Sequence, residues 1–118
     1  MDAKELRLGN LIYNHNEIDT ILIISETSIE FGKTLMNNSP KNIKPIPLTD
    51  EWLLKFGFEK SDVVYKKGWF ELWYSSYAGC FRLRIIKIGN DIEKVINIYH
   101  VHKLQNIYFL FMEEELTR

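Results

Sequence analysis

The sequence predicts an α+β fold, and three observations carry that prediction. Apolar and polar residues alternate with a period of two from Val63 to Tyr99, with turn signals between the runs, which is typical of antiparallel strands. Helical signals precede and follow this region, and a β-branched segment stands near the N-terminus. A chain of 118 residues has the size of one domain, so we expect a single α+β domain over residues 1–118.

The N-terminal part, residues 8–35, is predicted to form a three-stranded β-meander. Its strands are Leu11 to Tyr13, the β-branched stretch Ile18 to Ser25, and Ser28 to Phe31. Residues 36–47 are rich in Asn, Ser and Lys and contain three prolines, each of which removes a backbone donor. We therefore predict a loop there.

A short helix is predicted from Thr49 to Phe56. Thr49 is suited to the N-cap position, acidic residues follow it in the first turn, and Gly57 stands where the helix should end. Leu48 and Leu53 have the spacing of a hydrophobic staple. These signals agree with one another on where the helix begins.

The region after this helix is predicted to form a four-stranded antiparallel sheet. A four-residue loop from Ser76 to Gly79 fixes the register of one hairpin. On one face of that hairpin we expect the apolar pairs Tyr74–Phe81, Leu72–Leu83 and Phe70–Ile85. On the other face we expect Trp73–Arg82, Glu71–Arg84 and, beside them, Trp69–Ile86. The next hairpin is expected to contain the pairs Ile85–Val95 and Lys87–Glu93.

A C-terminal helix is predicted from Val101 to Leu116, because apolar residues recur there at helical spacing and form a wide stripe. We expect this stripe to pack across the four-stranded sheet. Glu113, Glu114 and Glu115 end the helix at the negative end of its dipole, so we expect them to reach into solvent or to meet a basic partner.

Composition excludes several classes of protein. Hydrophobic residues make up 46% of the chain and the net charge is -1, which argues against disorder and against a polybasic nucleic-acid coat. Cys80 is the only cysteine, so no disulfide can form within the chain and a reducing compartment is expected. The start lacks the apolar core of a signal peptide, and no apolar stretch approaches the roughly 20 residues that span a bilayer. We expect a soluble, cytoplasmic protein.

Motifs that carry chemistry are missing from the sequence. His100 and His102 could present two imidazoles to one metal, but no third ligand accompanies them. Cys80 is alone near a predicted turn, where a cysteine is more often a small hydrophobe than a nucleophile. Phosphate-binding glycine loops and hydrolase signatures are absent. We therefore predict no catalytic residue, no metal, no cofactor and no enzyme activity.

The candidate functional residues share one face of the predicted sheet and the end of the last helix. Residues 60–103 hold eight basic groups against four acidic ones, whereas the rest of the chain is acidic. An aromatic surface rimmed by arginine suits stacking and phosphate contacts on single-stranded RNA, and the same residue types dominate protein hot spots. The candidates for partner binding are Trp69, Trp73, Arg82, Arg84, Lys87, Glu113, Glu114 and Glu115.

An alternative for the same sheet face stays open. The isoleucines expected on it are Ile86, Ile92, Ile96 and Ile98. Isoleucines in that number usually lie beneath a helix or a second sheet. In that case the two tryptophans belong to the core, Arg82 lies over an indole, and Arg84 pairs with Glu71.

Three stretches of the chain form a familiar set. They are Glu5-Leu6-Arg7-Leu8-Gly9-Asn10, the segment Ile46 to Phe58, and Val101 to Phe109 followed by Glu114-Glu115-Leu116-Thr117. In the same order and over nearly the whole chain, they resemble a family of small phage and prophage proteins of Bacteroidetes, mostly of unknown function. These motifs are structural: a strand entry, a capped helix and a packing helix.

In size and layout the chain is also similar to a phage anti-CRISPR protein that inhibits the type VI-B RNA-guided RNA nuclease. This resemblance implies a non-enzymatic inhibitor that docks on the host CRISPR nuclease or on its guide RNA, in the bacterial cytoplasm and away from membranes. It carries over no catalytic residue. Two alternatives stay open: a nucleic-acid-binding accessory protein of the phage, and a structural or assembly module such as a homodimer joined at a free sheet edge.

Overall fold

The computed structural model describes residues 6–14, 17–24, 29–31, 43–87 and 90–118, of which 22–24, 29–31, 87 and 90–94 are described by their backbone alone. The elements are β1 (Leu11–Asn14), β2 (Glu17–Ile24), β3 (Ile29–Phe31), β4 (Ile43–Lys44), α1 (Asp50–Lys55), β5 (Glu59–Ser61), β6 (Val64–Lys67), β7 (Phe70–Ser75), β8 (Cys80–Lys87), β9 (Asn90–Ile98) and α2 (Val101–Met112). They form an α+β fold, as predicted. Within the described ranges, no helix is long and apolar enough to cross a membrane.

The chain divides into two compact units. The first comprises Met1–Pro47 and His100–Glu115, and the second comprises Leu48–Tyr99 and Leu116–Arg118. This division does not test whether the chain folds as one domain, so the single domain stays a prediction. Each unit is built around its own antiparallel sheet.

The first unit contains a sheet with the strand order β3-β2-β1-β4. The predicted three-stranded meander is present as β1, β2 and β3. The fourth strand comes from the segment predicted to be a loop, because Ile43–Lys44 pairs with the end of β1; residues 36–42 of that segment lie outside the described residues. Ile12, Ile21 and Ile43 are buried together and pack against Leu6, so β4 completes a small apolar core.

The C-terminal helix α2 belongs to the first unit and packs on β1, whereas we expected it to lie across the second sheet. The helix ends at Met112 and not at the predicted Leu116. Its apolar stripe is buried at Val101 and Leu104, whereas Phe111 near its end is 40% exposed. The Oε1 atom of the buried Gln105 accepts a hydrogen bond from the Leu11 N–H at 2.8 Å, and its Nε2 donates to the Gly9 carbonyl at 3.3 Å. An apolar stripe predicts that a helix packs, but it does not predict on which sheet. Here the buried Gln105 amide hydrogen-bonds to the N-terminal segment of the first unit.

The second unit contains α1 and a five-stranded sheet in the order β5-β6-β7-β8-β9. Four strands were predicted; the additional one, β5, has the sequence Glu-Lys-Ser and carries no apolar residue that could signal it. Thr49 occupies the N-cap position of α1, as predicted, although its side chain makes no capping hydrogen bond. Gly57 ends the helix with a left-handed φ of +88° and donates its N–H to the Leu54 carbonyl.

The register between β7 and β8 is the predicted one. The observed pairs are Phe70–Ile85, Glu71–Arg84, Leu72–Leu83, Trp73–Arg82, Tyr74–Phe81 and Ser75–Cys80. The register between β8 and β9 differs from the prediction, since the observed pairs include Phe81–Ile98, Leu83–Ile96, Arg84–Val95 and Lys87–Asn90. The pairing shifts between Arg84 and Ile86, and a bulge of this kind leaves no trace in an alternating sequence.

Candidate binding surface on the five-stranded sheet

The side chains of β6, β7 and β8 that point to one side of the second sheet form the candidate surface, which we call the Trp/Arg face. Its charged and aromatic members are Lys66, Glu71, Trp73, Arg82 and Arg84. The strand register brings them together, because Glu71 lies opposite Lys66 on one side and Arg84 on the other, and Trp73 lies opposite Arg82. Side chains on one face of neighbouring strands contact one another in such pairs, so the predicted alternation builds the surface directly.

The Glu71 carboxylate joins two cations at the centre of this face. The guanidinium of Arg84 donates to Oε2 at 2.7 Å from its terminal nitrogen and at 3.3 Å from Nε, and the Lys66 ammonium lies 3.1 Å from Oε1. Glu71 is only 8% exposed, while the side chains of Lys66 and Arg84 are 57% and 49% exposed. The hydrogen bond from Arg84 lowers the pKa of Glu71, and Lys66 adds to this, against the opposing effect of burial.

Trp73 is half-buried in the same face and lies under an arginine. The guanidinium carbon of Arg84 is 5.9 Å from the centre of the Trp73 ring, within the range of a cation–π interaction. Arg82 is half-buried and donates from Nε to Oδ1 of Asn97 at 3.2 Å. The predicted pair of Arg84 with Glu71 is therefore confirmed, and it is the guanidinium of Arg84 that covers the indole.

Two of the four isoleucines that were expected on this face lie on the opposite face of the sheet. Because Ile98 lies opposite Phe81 and Ile96 opposite Leu83, both belong to the apolar face of the sheet. Ile86 is 39% exposed, and the Ile92 side chain lies outside the part of the chain that the structure describes. The prediction that isoleucines share the Trp/Arg face was therefore wrong for Ile96 and Ile98, because the expected register had no bulge. Around the buried Glu71, the face has half-buried and exposed side chains.

Two predicted residues lie at the margins of this surface. Trp69 is in the turn before β7, is half-buried, and accepts a hydrogen bond from the Ile86 N–H at 2.7 Å through its carbonyl. Lys87 is the last residue of β8 and lies opposite Asn90; its side chain is outside the described residues. The structure therefore gathers Trp73, Arg82 and Arg84 into one cluster, with Trp69 at its edge.

The three glutamates after α2 belong to the first unit and do not act alike. Glu113 is the C-cap of α2 in a left-handed conformation, and its N–H donates to the Phe109 carbonyl at 2.9 Å. Glu114 is exposed. Glu115 forms a bidentate ion pair with Arg7, with one contact at 3.1 Å. All three glutamates are exposed, but Glu115 is held in an ion pair within its own unit.

Arg7 and its neighbours connect the N-terminal stretch of the chain to α2 by side-chain hydrogen bonds. Arg7 also donates from Nε to Oδ1 of Asn106 at 3.1 Å, and Asn10 donates from Nδ2 to the same oxygen at 2.7 Å. The N-terminal stretch is therefore tied to α2 by side-chain hydrogen bonds. Sequence patterns of hydrophobicity carry no signal for such a network, since all of its members are polar.

Sequence reasoning missed a cavity in the second unit, on the face of the sheet opposite to the Trp/Arg face. Tyr65, Tyr74 and Phe81 line a cavity there together with Asp50 at the start of α1 and Lys60 in β5. The sequence did predict that two of these residues, Tyr74 and Phe81, lie next to each other on this face. Lys60 gave no signal, because its strand has no apolar residue.

The histidine pair and the cysteine have local roles. The rings of His100 and His102 stack with centroids 5.8 Å apart at the start of α2. Across the described ranges, no group of three or more His, Cys, Asp or Glu side chains is placed to hold a metal ion. Cys80 is buried, and its hydrogen bond with the Tyr99 phenol raises the pKa of Tyr99.

We compared the chain with protein-family models, with curated proteins and with solved structures, and none of the three comparisons gave a match.

Proposed function

We propose that this protein is a binding protein without catalytic chemistry, which docks through the Trp/Arg face on a macromolecular partner. The observation that carries the proposal is the placement of Trp73 between Arg82 and Arg84 on an accessible sheet face. Tryptophan and arginine dominate the energetics of protein interfaces, because they bury a large area and make directional polar contacts. The resemblance of the sequence suggests the partner: a host type VI-B CRISPR RNA-targeting nuclease or its guide RNA, in the bacterial cytoplasm.

The electrostatics of the face support a protein surface as the partner. Glu71 neutralises much of the charge of Lys66 and Arg84, so the face is a patterned surface rather than a uniformly basic one. Arg82 uses only Nε toward an acceptor among the described residues. Its terminal nitrogens can therefore form a bidentate pair with a carboxylate of the partner.

The test is a co-elution and inhibition experiment with the purified nuclease loaded with guide RNA. The protein should co-elute with the nuclease and block cleavage of target RNA. Trp73→Ala and Arg82→Ala should each weaken inhibition by about tenfold or more, as expected for hot-spot residues. Lys44→Ala, which removes an exposed cation in the first unit, should inhibit like the wild type.

A wild-type protein that neither co-elutes nor inhibits would end the proposal of a nuclease inhibitor. Full inhibition by both Trp73→Ala and Arg82→Ala would refute the Trp/Arg face as the docking surface. The two results separate the identity of the partner from the location of the interface.

The second candidate is a nucleic-acid-binding accessory protein, favoured by the half-buried indole of Trp73 and the guanidinium groups beside it on one face. It predicts RNA or DNA binding without the nuclease, an affinity that falls as salt rises, and weaker binding by Arg82→Ala and Arg84→Ala. An affinity that does not change over a salt series would count against it.

The third candidate is an assembly module. The strand β9 is an edge of the five-stranded sheet, and a homodimer joined there would elute earlier as concentration rises.

A further inference from the structure

The cavity on the apolar side of the five-stranded sheet has a volume of about 460 Å³ and is open to solvent. Its lining includes Asp50, Lys60, Val63, Tyr65, Tyr74 and Phe81. All of them belong to the second unit. A concave site of this size, lined mainly by apolar groups with a few polar ones, is typical of a ligand-binding pocket.

Three aromatic rings define the shape of this cavity. The Phe81 ring meets Tyr65 at a centroid distance of 6.0 Å and Tyr74 at 5.4 Å, in both cases edge to face. Phe81 and Tyr65 are buried and fixed in place, whereas Tyr74 is 58% exposed. Two rings therefore supply a rigid floor, and the third supplies a wall that an incoming ring can cover.

The charges in the cavity lining indicate whether a nucleic acid or a protein segment can bind there. The Lys60 ammonium lies 5.6 Å from the centre of the Tyr65 ring, and Asp50 places one carboxylate in the lining. The lining holds this one acid and this one base, but the base lies over the Tyr65 ring, whereas Asp50 forms no salt bridge among the described residues. Asp50 therefore favours a basic protein segment and disfavours a phosphodiester backbone.

We infer that this cavity, the Tyr65–Tyr74 pocket, binds an aromatic side chain of a protein segment in which a basic residue stands next to the aromatic one. The aromatic ring packs on Phe81 and against Tyr74, and the basic group pairs with Asp50. This binding site goes beyond the proposed function, because it faces away from the Trp/Arg face and recognises a different chemistry.

The test is a titration of the full-length, isotope-labelled protein followed by the chemical shifts of its backbone amides. The probe is the dipeptide N-acetyl-arginyl-tryptophan amide, and its matched control is N-acetyl-glutamyl-tryptophan amide. The arginine probe should give saturable shifts at Lys60, Tyr65 and Tyr74 with an affinity near the millimolar range, about −4 kcal/mol for a 1 mM dissociation constant. The glutamate probe should bind at least about threefold more weakly, because Asp50 repels it.

Two pairs of variants locate the site. Tyr74→Ser should weaken binding of the arginine probe by about tenfold, the scale of a lost aromatic contact. Tyr77→Ser is its matched control, since Tyr77 is fully exposed in the same hairpin but does not line the cavity, and it should bind like the wild type. Asp50→Asn should abolish the preference for arginine over glutamate while retaining the pocket.

Several outcomes would overturn the inference. They are shifts that do not saturate, equal binding of the two dipeptides, equal weakening by Tyr74→Ser and Tyr77→Ser, or shifts at the pocket caused by oligouridine in place of the peptides. The titration contains no nuclease, so failure here leaves the docking of the Trp/Arg face untouched.

Discussion

The two faces of the five-stranded sheet are built from the same strands and have opposite properties. On one face, Phe70, Leu72 and Leu83 have no exposed surface. On the other, Trp73 and Arg82 are half-buried and Arg84 is exposed. Successive residues of a strand point to opposite sides, so the difference is set residue by residue. Stability should therefore reside in one face, while the other is free to be used for binding.

The largest effect is expected on the apolar face. Leu83→Ala removes a fully buried side chain opposite Leu72 and leaves a cavity, so the free energy of unfolding should fall by about 3 kcal/mol. Urea unfolding followed by circular dichroism measures this. A loss below about 1 kcal/mol would show that the site collapses around the change and is not a tightly packed core.

An intermediate effect is expected at Glu71, because its carboxylate is buried although it belongs to the Trp/Arg face. Glu71→Gln keeps the shape but removes the charge that Lys66 and Arg84 share. Both cations are about half-exposed, so water compensates part of the loss, and the free energy of unfolding should fall by about 1 to 2 kcal/mol at pH 7. Lys66→Ala, which removes a single contact, should cost less.

The pH dependence gives an independent check on Glu71. Its pKa in the folded protein is lowered from the usual 4.5, chiefly by Arg84, so the stabilisation is present above that pH and is lost as pH falls through the lower, folded value. The stability gap between wild type and Glu71→Gln should therefore shrink as the pH falls below 4.5. A gap that stays constant until the protein unfolds in acid would mean that the ion pairs contribute nothing.

Much of this contrast between the faces could be predicted from the sequence. The β7–β8 register followed from the alternation of residues and a four-residue loop, and it placed Trp73 opposite Arg82 and Glu71 opposite Arg84. The next register could not be predicted, because a bulge near Ile86 changes the pairing without changing the pattern. This shift of register is why Ile96 was predicted on the wrong face of the sheet.

The remaining differences have the same physical origin: polar residues specify what apolar periodicity cannot. The hydrogen bonds of Gln105 connect α2 to Leu11 in β1 and to Gly9 before it, and the apolar period of α2 gives no signal for them. The strand β5 has no apolar residue, and its pairing with β6 brings Lys60 to the aromatic pocket. Both features depend on partners distant in the chain, so a local pattern does not contain them.

The smallest effect is expected for Arg82→Ala, and it makes the sharpest comparison, because Arg82 and Leu83 are adjacent in β8 and point to opposite faces. Arg82 contributes a hydrogen bond to Asn97 at 3.2 Å and is half-buried, so its removal should change the free energy of unfolding by less than about 0.5 kcal/mol. The same urea series used for Leu83→Ala measures it. If Arg82→Ala costs as much as Leu83→Ala, the Trp/Arg face is a second core and cannot serve as a docking surface; if it costs little, a loss of partner binding in this variant reports the interface and not the fold.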